Sequence, residues 1–279
     1  GLLLRRRGVG WGGRIFALLA LGGASLWGPY STVLFSHVSA GALAIWAVLG
    51  LEVGAGRPDE GGQWPALRRG ALLAAGLAAG WAASADYLVG LLVLGLGAAS
   101  VPPRRWPAVL PWLVLGAAPI VAATAAYHHA AFGSALSIGY DHHANFEFAR
   151  ERVTTFSGNP LVGLWSQWGA GQGAGVLVLA PVMLVGVAGL AVDRGARRWL
   201  WGALPWIVLL ACHRTPTGGA GEDHRYLVPL MPVLAVGLGL AWQRWSGAQG
   251  RARWIAAALV ALAVLSASLG WTHVLRAWG

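Results

Sequence analysis

The feature that most constrains this chain is a succession of nine apolar stretches joined by short polar segments. They run over about 15–29, 31–52, 70–84, 87–101, 107–127, 173–192, 199–212, 226–242 and 254–272. Several fall below the roughly 20 residues that a straight bilayer-crossing helix needs. None shows the two-residue alternation of a membrane barrel strand. Lipid offers no partner to a free backbone N–H or C=O, so such stretches are expected to be helical. Charge points the same way: 11% of the 279 residues are charged, against about 25% in a soluble domain. A chain so poor in charge cannot cover a water-facing globule. Its 57% hydrophobic content excludes disorder, and its single cysteine, Cys212, excludes a disulfide scaffold. The expected fold is an all-α integral membrane protein, a polytopic bundle of about nine transmembrane helices forming one domain over 1–279. One long outer loop is expected near 128–172 and a second near 213–225.

The net charge of +10 comes from 20 basic residues, all of them arginine. They cluster between the apolar stretches and do not follow one face, which excludes a phosphate-tracking stripe; no nucleic-acid partner is expected. With the N-terminus in the cytoplasm and sides alternating, 15 arginines fall inside. Only Arg150, Arg152, Arg214, Arg225 and Arg276 fall outside. This asymmetry predicts a membrane protein whose N-terminus is cytoplasmic and whose C-terminus is outside. Trp27, Trp106, Trp199, Trp242, Trp254 and Trp271 stand near stretch ends, where indole rings favour the interface. The opening GLLL, running straight into RRR, reads as the tail of an earlier helix, so a longer parent chain is expected. Gly76 and Gly80, four apart in the third stretch, are expected to serve helix packing.

Polar chemistry gathers on the outer side of this topology. His37, His128, His129, His142, His143, His213, His224 and His273 all face or approach it. So do six of the ten acids: Asp86, Asp141, Glu147, Glu151, Glu222 and Asp223. Asp86 is the sharpest of these, placed in AASADYLVG between the third and fourth stretches. It has two readings: an N-cap of the following helix, or a site carboxylate facing a wet cavity or a partner. In the run Glu222–Tyr226, Arg225 puts a guanidinium at the outer mouth of the bundle. There its fork of donors either clamps a phosphate or anchors the interface by pairing with an acid. Tyr140, Asp141, Asp223, His224 and Tyr226 stand with Arg225 as substrate-binding candidates, and Asp86 as the catalytic candidate. The paired histidines diverge on a helix and lack metal-ligand spacing, so solvated loop histidines are expected and no metal site is assigned. Gly163–Trp168 reads as a short amphipathic helix on the membrane surface. No Gly-rich phosphate loop or nucleophile elbow occurs.

Five segments together resemble the bacterial polytopic glycosyltransferases of the GT-C class, related to protein O-mannosyltransferases and aminoarabinose transferases. They are SLWGPYSTVLFSH (25–37), GLAAGWAASADY (76–87), YHHAAFGSALSIGY (127–140), LWSQWGAGQGAGVLVLAPVMLVG (164–186) and GEDHRYLVPLMP (221–232). The resemblance covers most of the chain in order, each motif alone being modestly specific. It implies transfer of a sugar from a polyprenyl-phosphate carrier to an acceptor at the periplasmic face. The implied partners are that lipid-linked sugar and membrane lipid; no cofactor is implied beyond a divalent metal that some such sites admit. Arg225 matches an R-Y-L-x-P pattern and takes the phosphate-holding role, while Asp86 matches an acidic position followed by an aromatic residue near a helix start. Two departures stand out. The first outer loop, which carries the catalytic acid in such enzymes, falls upstream of Gly1, and QWGAGQGAG (167–175) replaces a Phe-Ser and Arg-Gly stretch. The competing readings are a lipid or solute transporter, which calls for mid-span charges and inverted repeats, and a non-catalytic membrane subunit, which needs no polar outer loop.

Overall fold

Leucine, alanine and valine dominate the apolar stretches, and a helix satisfies their backbone groups internally. A computed structural model describes the chain except for residues 33–35, 57–63, 143–154, 171–173, 216–224, 247–251 and 279. The first half forms α1 (Leu2–Arg6), α2 (Trp11–Gly23), α3 (Trp27–Ser31), α4 (Ser36–Ala55), α5 (Arg69–Ala85), α6 (Tyr87–Ser100) and α7 (Trp106–Phe132). The second half forms α8 (Pro160–Trp168), α9 (Val176–Leu179), α10 (Val182–Val192), α11 (Arg197–Ala211), α12 (Met231–Trp245) and α13 (Ala252–Trp278). A 3-10 turn over Arg225–Leu230 leads into α12. No strand occurs among the described residues.

Among the described residues, four segments are long and apolar enough to cross a membrane: Ser36–Ala55, Pro103–Phe132, Arg225–Trp245 and Arg253–Arg276. The apolar helices α6 and α10 are shorter. Burial sorts the long segments. Arg225–Trp245 is 83% buried over its most apolar window, against 11% for Pro103–Phe132 and 17% for Arg253–Arg276. The first is therefore the hub of the bundle, and α7 and α13 are flanks. Their exposed Val114, Leu115, Val264 and Leu265 form apolar surface of the kind that a monomer in water rarely shows and hydrocarbon accepts.

Three of the expected stretches are interrupted, each for a local reason. The first ends at Gly23; Ser25 Oγ then donates to the Leu21 carbonyl and accepts from the Trp27 N–H, turning the chain into α3. The sixth breaks at Ala180–Pro181, because proline lacks the N–H that would continue α9 and restricts the residue before it. The Val182 N–H exposed by that break donates to Ser266 Oγ on α13 at 3.0 Å. The eighth begins as the 3-10 turn containing Pro229.

Small residues bring helix pairs into backbone contact. A Cβ at Gly76 would lie 2.1 Å from the Leu113 carbonyl oxygen, and one at Gly116 would lie 2.1 Å from that of Leu73. So α5 and α7 touch reciprocally, with Gly76 in the packing role expected for it. Gly95 and Gly202 make the same two-way contact between α6 and α11.

The helices run between two chemically different ends. At one, Arg7 pairs with Glu52 of α4, reaches Asp193 at 3.4 Å and lies 4.2 Å above the Trp199 ring. Trp199 Nε1 donates to Ser100 Oγ at 3.0 Å, tying α11 to the end of α6. Arg7 and Glu52 are both buried, so each charge is held by the other rather than by water. The other end carries His37, His128 and His213.

Candidate functional site

Asp86 is the single residue between α5 and α6, and the chain there is extended. Its Oδ1 accepts from the Leu88 N–H at 3.1 Å, which makes it the N-cap of α6. The capping reading of Asp86 therefore holds, and it is half of the story. Its other oxygen, Oδ2, lies 2.6 Å from Nδ1 of His37 on the first turn of α4. Both side chains are close to nine-tenths buried, at 12% and 11% exposure.

From His37 the site extends through aromatic contacts. The Tyr226 ring meets His37 edge-on, with centroids 5.7 Å apart at 84°. On Tyr226 also lies His213, at 5.1 Å, and the Arg225 guanidinium carbon stands 5.9 Å from the same ring. Phe156 closes the far side of His213 at 5.6 Å and 85°. Residues from 37 to 226 are thus joined into one cluster because the start of α4, the α5–α6 joint, the end of α11 and the turn before α12 meet at one end.

His213 is buried, and loss of hydration pushes its imidazole below the usual histidine range; the Thr215 backbone within hydrogen-bonding reach of Nδ1 opposes that shift in part. The neutral ring is thereby favoured against Tyr226.

A second pair adjoins the first. Tyr87, next to Asp86, places its hydroxyl 3.0 Å from Nε2 of His128 on α7. His128 is buried while its neighbour His129 is exposed. Solvation, expected of the paired histidines, is therefore corrected for His128: successive residues diverge on a helix, and one of them turns inward. From His128, ring contacts continue to Phe132, which stacks on the exposed His142 at 4.6 Å and 7°.

The structure brings three of the expected site residues together, Asp86, Tyr226 and Arg225, with His37 as the link. Asp141 lies in the 3-10 turn Gly139–His142, where its Oδ2 accepts from the Ile138 N–H at 3.2 Å. Tyr140 belongs to the same turn. Asp223 and His224 lie outside the described residues. Among the described residues no group of three or more metal-ligating side chains could hold an ion.

Neither family models, curated proteins nor solved structures give a match to this chain. The site is accordingly interpreted from its own geometry.

Its neighbours in the fold bear on that interpretation. The short helix α8 forms with Asn159 Oδ1 capping the N–H groups of Leu161 and Val162. It turns Leu161, Val162 and Trp165 outward while Gly163, Ser166 and Gln167 are buried. That is an amphipathic helix with its apolar face out, the arrangement lipid favours. An apolar groove of about 340 Å³ runs beside α12, lined by Leu18, Leu21, Trp46, Leu49, Pro232 and Val236. A larger cavity of about 560 Å³ lies at the arginine end, lined by Arg7, Glu52, Trp64, Asp193 and Arg198. It belongs to the other end of the bundle from the Asp86 cluster.

Proposed function

We propose that the chain is a membrane glycosyltransferase of GT-C type, moving a sugar from a polyprenyl-phosphate carrier to an acceptor at the outer face of a bacterial inner membrane. In this reading the chain makes nine crossings, with its arginine end cytoplasmic and its histidine end outside. The observation that carries the proposal is the convergence of Asp86, His37, Tyr226 and Arg225 at one end of an apolar bundle. Displacement at an anomeric carbon needs a proton acceptor for the incoming hydroxyl and positive charge for the departing phosphate. This cluster holds both kinds of group, in residues separated by up to 189 positions in sequence.

Arg225 supplies the charge, since a guanidinium offers paired donors to phosphate oxygens. Tyr226 beside it supplies a ring against which a sugar or an isoprene unit can lie. The apolar groove beside α12, which Pro232, Ala235 and Val236 help to line, has a lining that an apolar carrier tail fits. Lipid-facing Leu161, Val162 and Trp165 on α8 suit a protein whose substrate never leaves the bilayer.

A non-catalytic subunit is the second reading, favoured by one observation: both Asp86 oxygens are engaged within the fold. Arg225→Ala separates the two. In membranes containing the protein, release of sugar from radiolabelled hexosyl phosphates of a C20 polyprenol is expected to fall at least 100-fold, the usual scale for losing one transition-state charge contact. Wild-type turnover in this variant excludes the phosphate role of Arg225.

A further inference from the structure

Resting on the glycosyl-transfer reading, we infer that His37 is the base that takes the acceptor's proton, and that Asp86 is the residue that positions it. An ionised carboxylate is an acceptor only, so the 2.6 Å contact requires His37 Nδ1–H to donate to Asp86 Oδ2. That fixes the tautomer and assigns proton exchange to Nε2. Asp86 itself is poorly placed to act as base, because Oδ1 is already committed to the Leu88 N–H at 3.1 Å. The arrangement is a base held by an acidic orienting group, the logic of hydrolytic triads transferred to another nucleophile.

The rest of the cluster agrees with this assignment. His128 is the other imidazole paired at the α5–α6 joint, and its 3.0 Å partner is the Tyr87 hydroxyl, not a carboxylate. His213 also packs on Tyr226, and its Nδ1 lies 3.0 Å from the Thr215 carbonyl oxygen. Among the described histidines, His37 alone combines a carboxylate on one nitrogen with contact to the ring that neighbours Arg225.

The acceptor oxygen forms its bond to the anomeric carbon as the bond from that carbon to the carrier phosphate oxygen breaks. The electron pair of the broken bond leaves with the phosphate, towards Arg225. The acceptor's proton passes to His37 Nε2, and the imidazolium formed is stabilised by the Asp86 carboxylate until it returns the proton to water.

Two measurements on the full chain in lipid nanodiscs test this. The first is nitrogen NMR of ¹⁵N-histidine protein, assigned with His37→Gln. Wild type is expected to show His37 protonated at Nδ1, and Asp86→Asn to show it protonated at Nε2. Asparagine caps a helix as well as aspartate does, so this variant keeps the start of α6 with its single oxygen, and the NH2 group left facing His37 donates to Nδ1. The second is transfer from radiolabelled hexosyl phosphates of a C20 polyprenol. His37→Gln and Asp86→Asn are each expected to lower turnover about 1,000-fold, within the usual range for general-base loss, while both bind the bare C20 polyprenyl phosphate as wild type does. Wild-type turnover by His37→Gln, or Nε2 protonation of His37 in the native chain, overturns the assignment and leaves glycosyl transfer standing. Absence of transfer by the wild type from every hexose tested overturns the glycosyl-transfer reading and the base role with it, while the NMR still reports whether Asp86 orients His37.

Discussion

Just beyond α11 the His213 ring lies between Phe156 and Tyr226, out of reach of bulk water. Burial depresses its proton affinity in the folded state, so the unfolded chain, with an ordinary histidine value of about 6.5, takes up the proton first. The stability due to the neutral ring is present above that value and drains away as the pH falls through it towards the lower folded value. The thermal midpoint of the purified protein is therefore expected to drop between about pH 7 and pH 5. His213→Gln is expected to flatten that slope; an equally steep slope in the variant sinks the idea. Residues of this kind were unevenly legible in the sequence. The cap role of Asp86 was readable because capping is local. Its partner His37 stands 49 positions away, and no spacing rule links a helix joint to a residue on an earlier helix. Glu52 left a usable signal, an acid inside the apolar run LGLEVGA, which marks a buried partner such as Arg7.

At the scale of helices, the reciprocal glycine contacts set the distance between axes. Where Gly76 meets the Leu113 carbonyl and Gly116 meets that of Leu73, α5 and α7 have no room for a side chain. Gly76→Leu is expected to force the pair apart and to cost about 1–3 kcal/mol, the range for overpacking a tight contact. Thermal or denaturant unfolding in detergent checks it. Gly22→Leu, at a position with nothing near its Cβ, is the control expected to stay close to wild type; equal losses in both variants refute the packing role. The existence of most helices was legible because apolar length is a strong signal. Their interruptions were less so. Pro181 inside an apolar run was visible and its consequence predictable, whereas the turn at Ser25 depends on a side chain bonding backward to Leu21, which composition does not reveal.

For the whole molecule, the proposed topology assigns the two ends of the bundle to opposite faces of a membrane. The Arg7–Glu52–Asp193 group gathers one set of helix ends, and the His37–Asp86–Tyr226 group gathers the other. In a Cys212→Ser background, Ser134→Cys is expected to react with a membrane-impermeant maleimide in intact cells. Arg198→Cys is expected to react only after the membrane is opened. Both side chains are exposed in the native chain, so accessibility to the reagent reports sidedness. The reverse pattern would put the cluster on the cytoplasmic side and remove the exoplasmic acceptor from the proposal.

The 14 residues of α6 rise about 21 Å, well short of the roughly 30 Å hydrocarbon slab. In the proposed topology, with Ser100 tied down beside Trp199 at one membrane face, Asp86 at the opposite tip of α6 lies below the other headgroup plane. Reactants that dissolve in the film reach such a depth by sideways diffusion. Their density per area of membrane, rather than their concentration in the surrounding fluid, then governs how often Asp86 is reached.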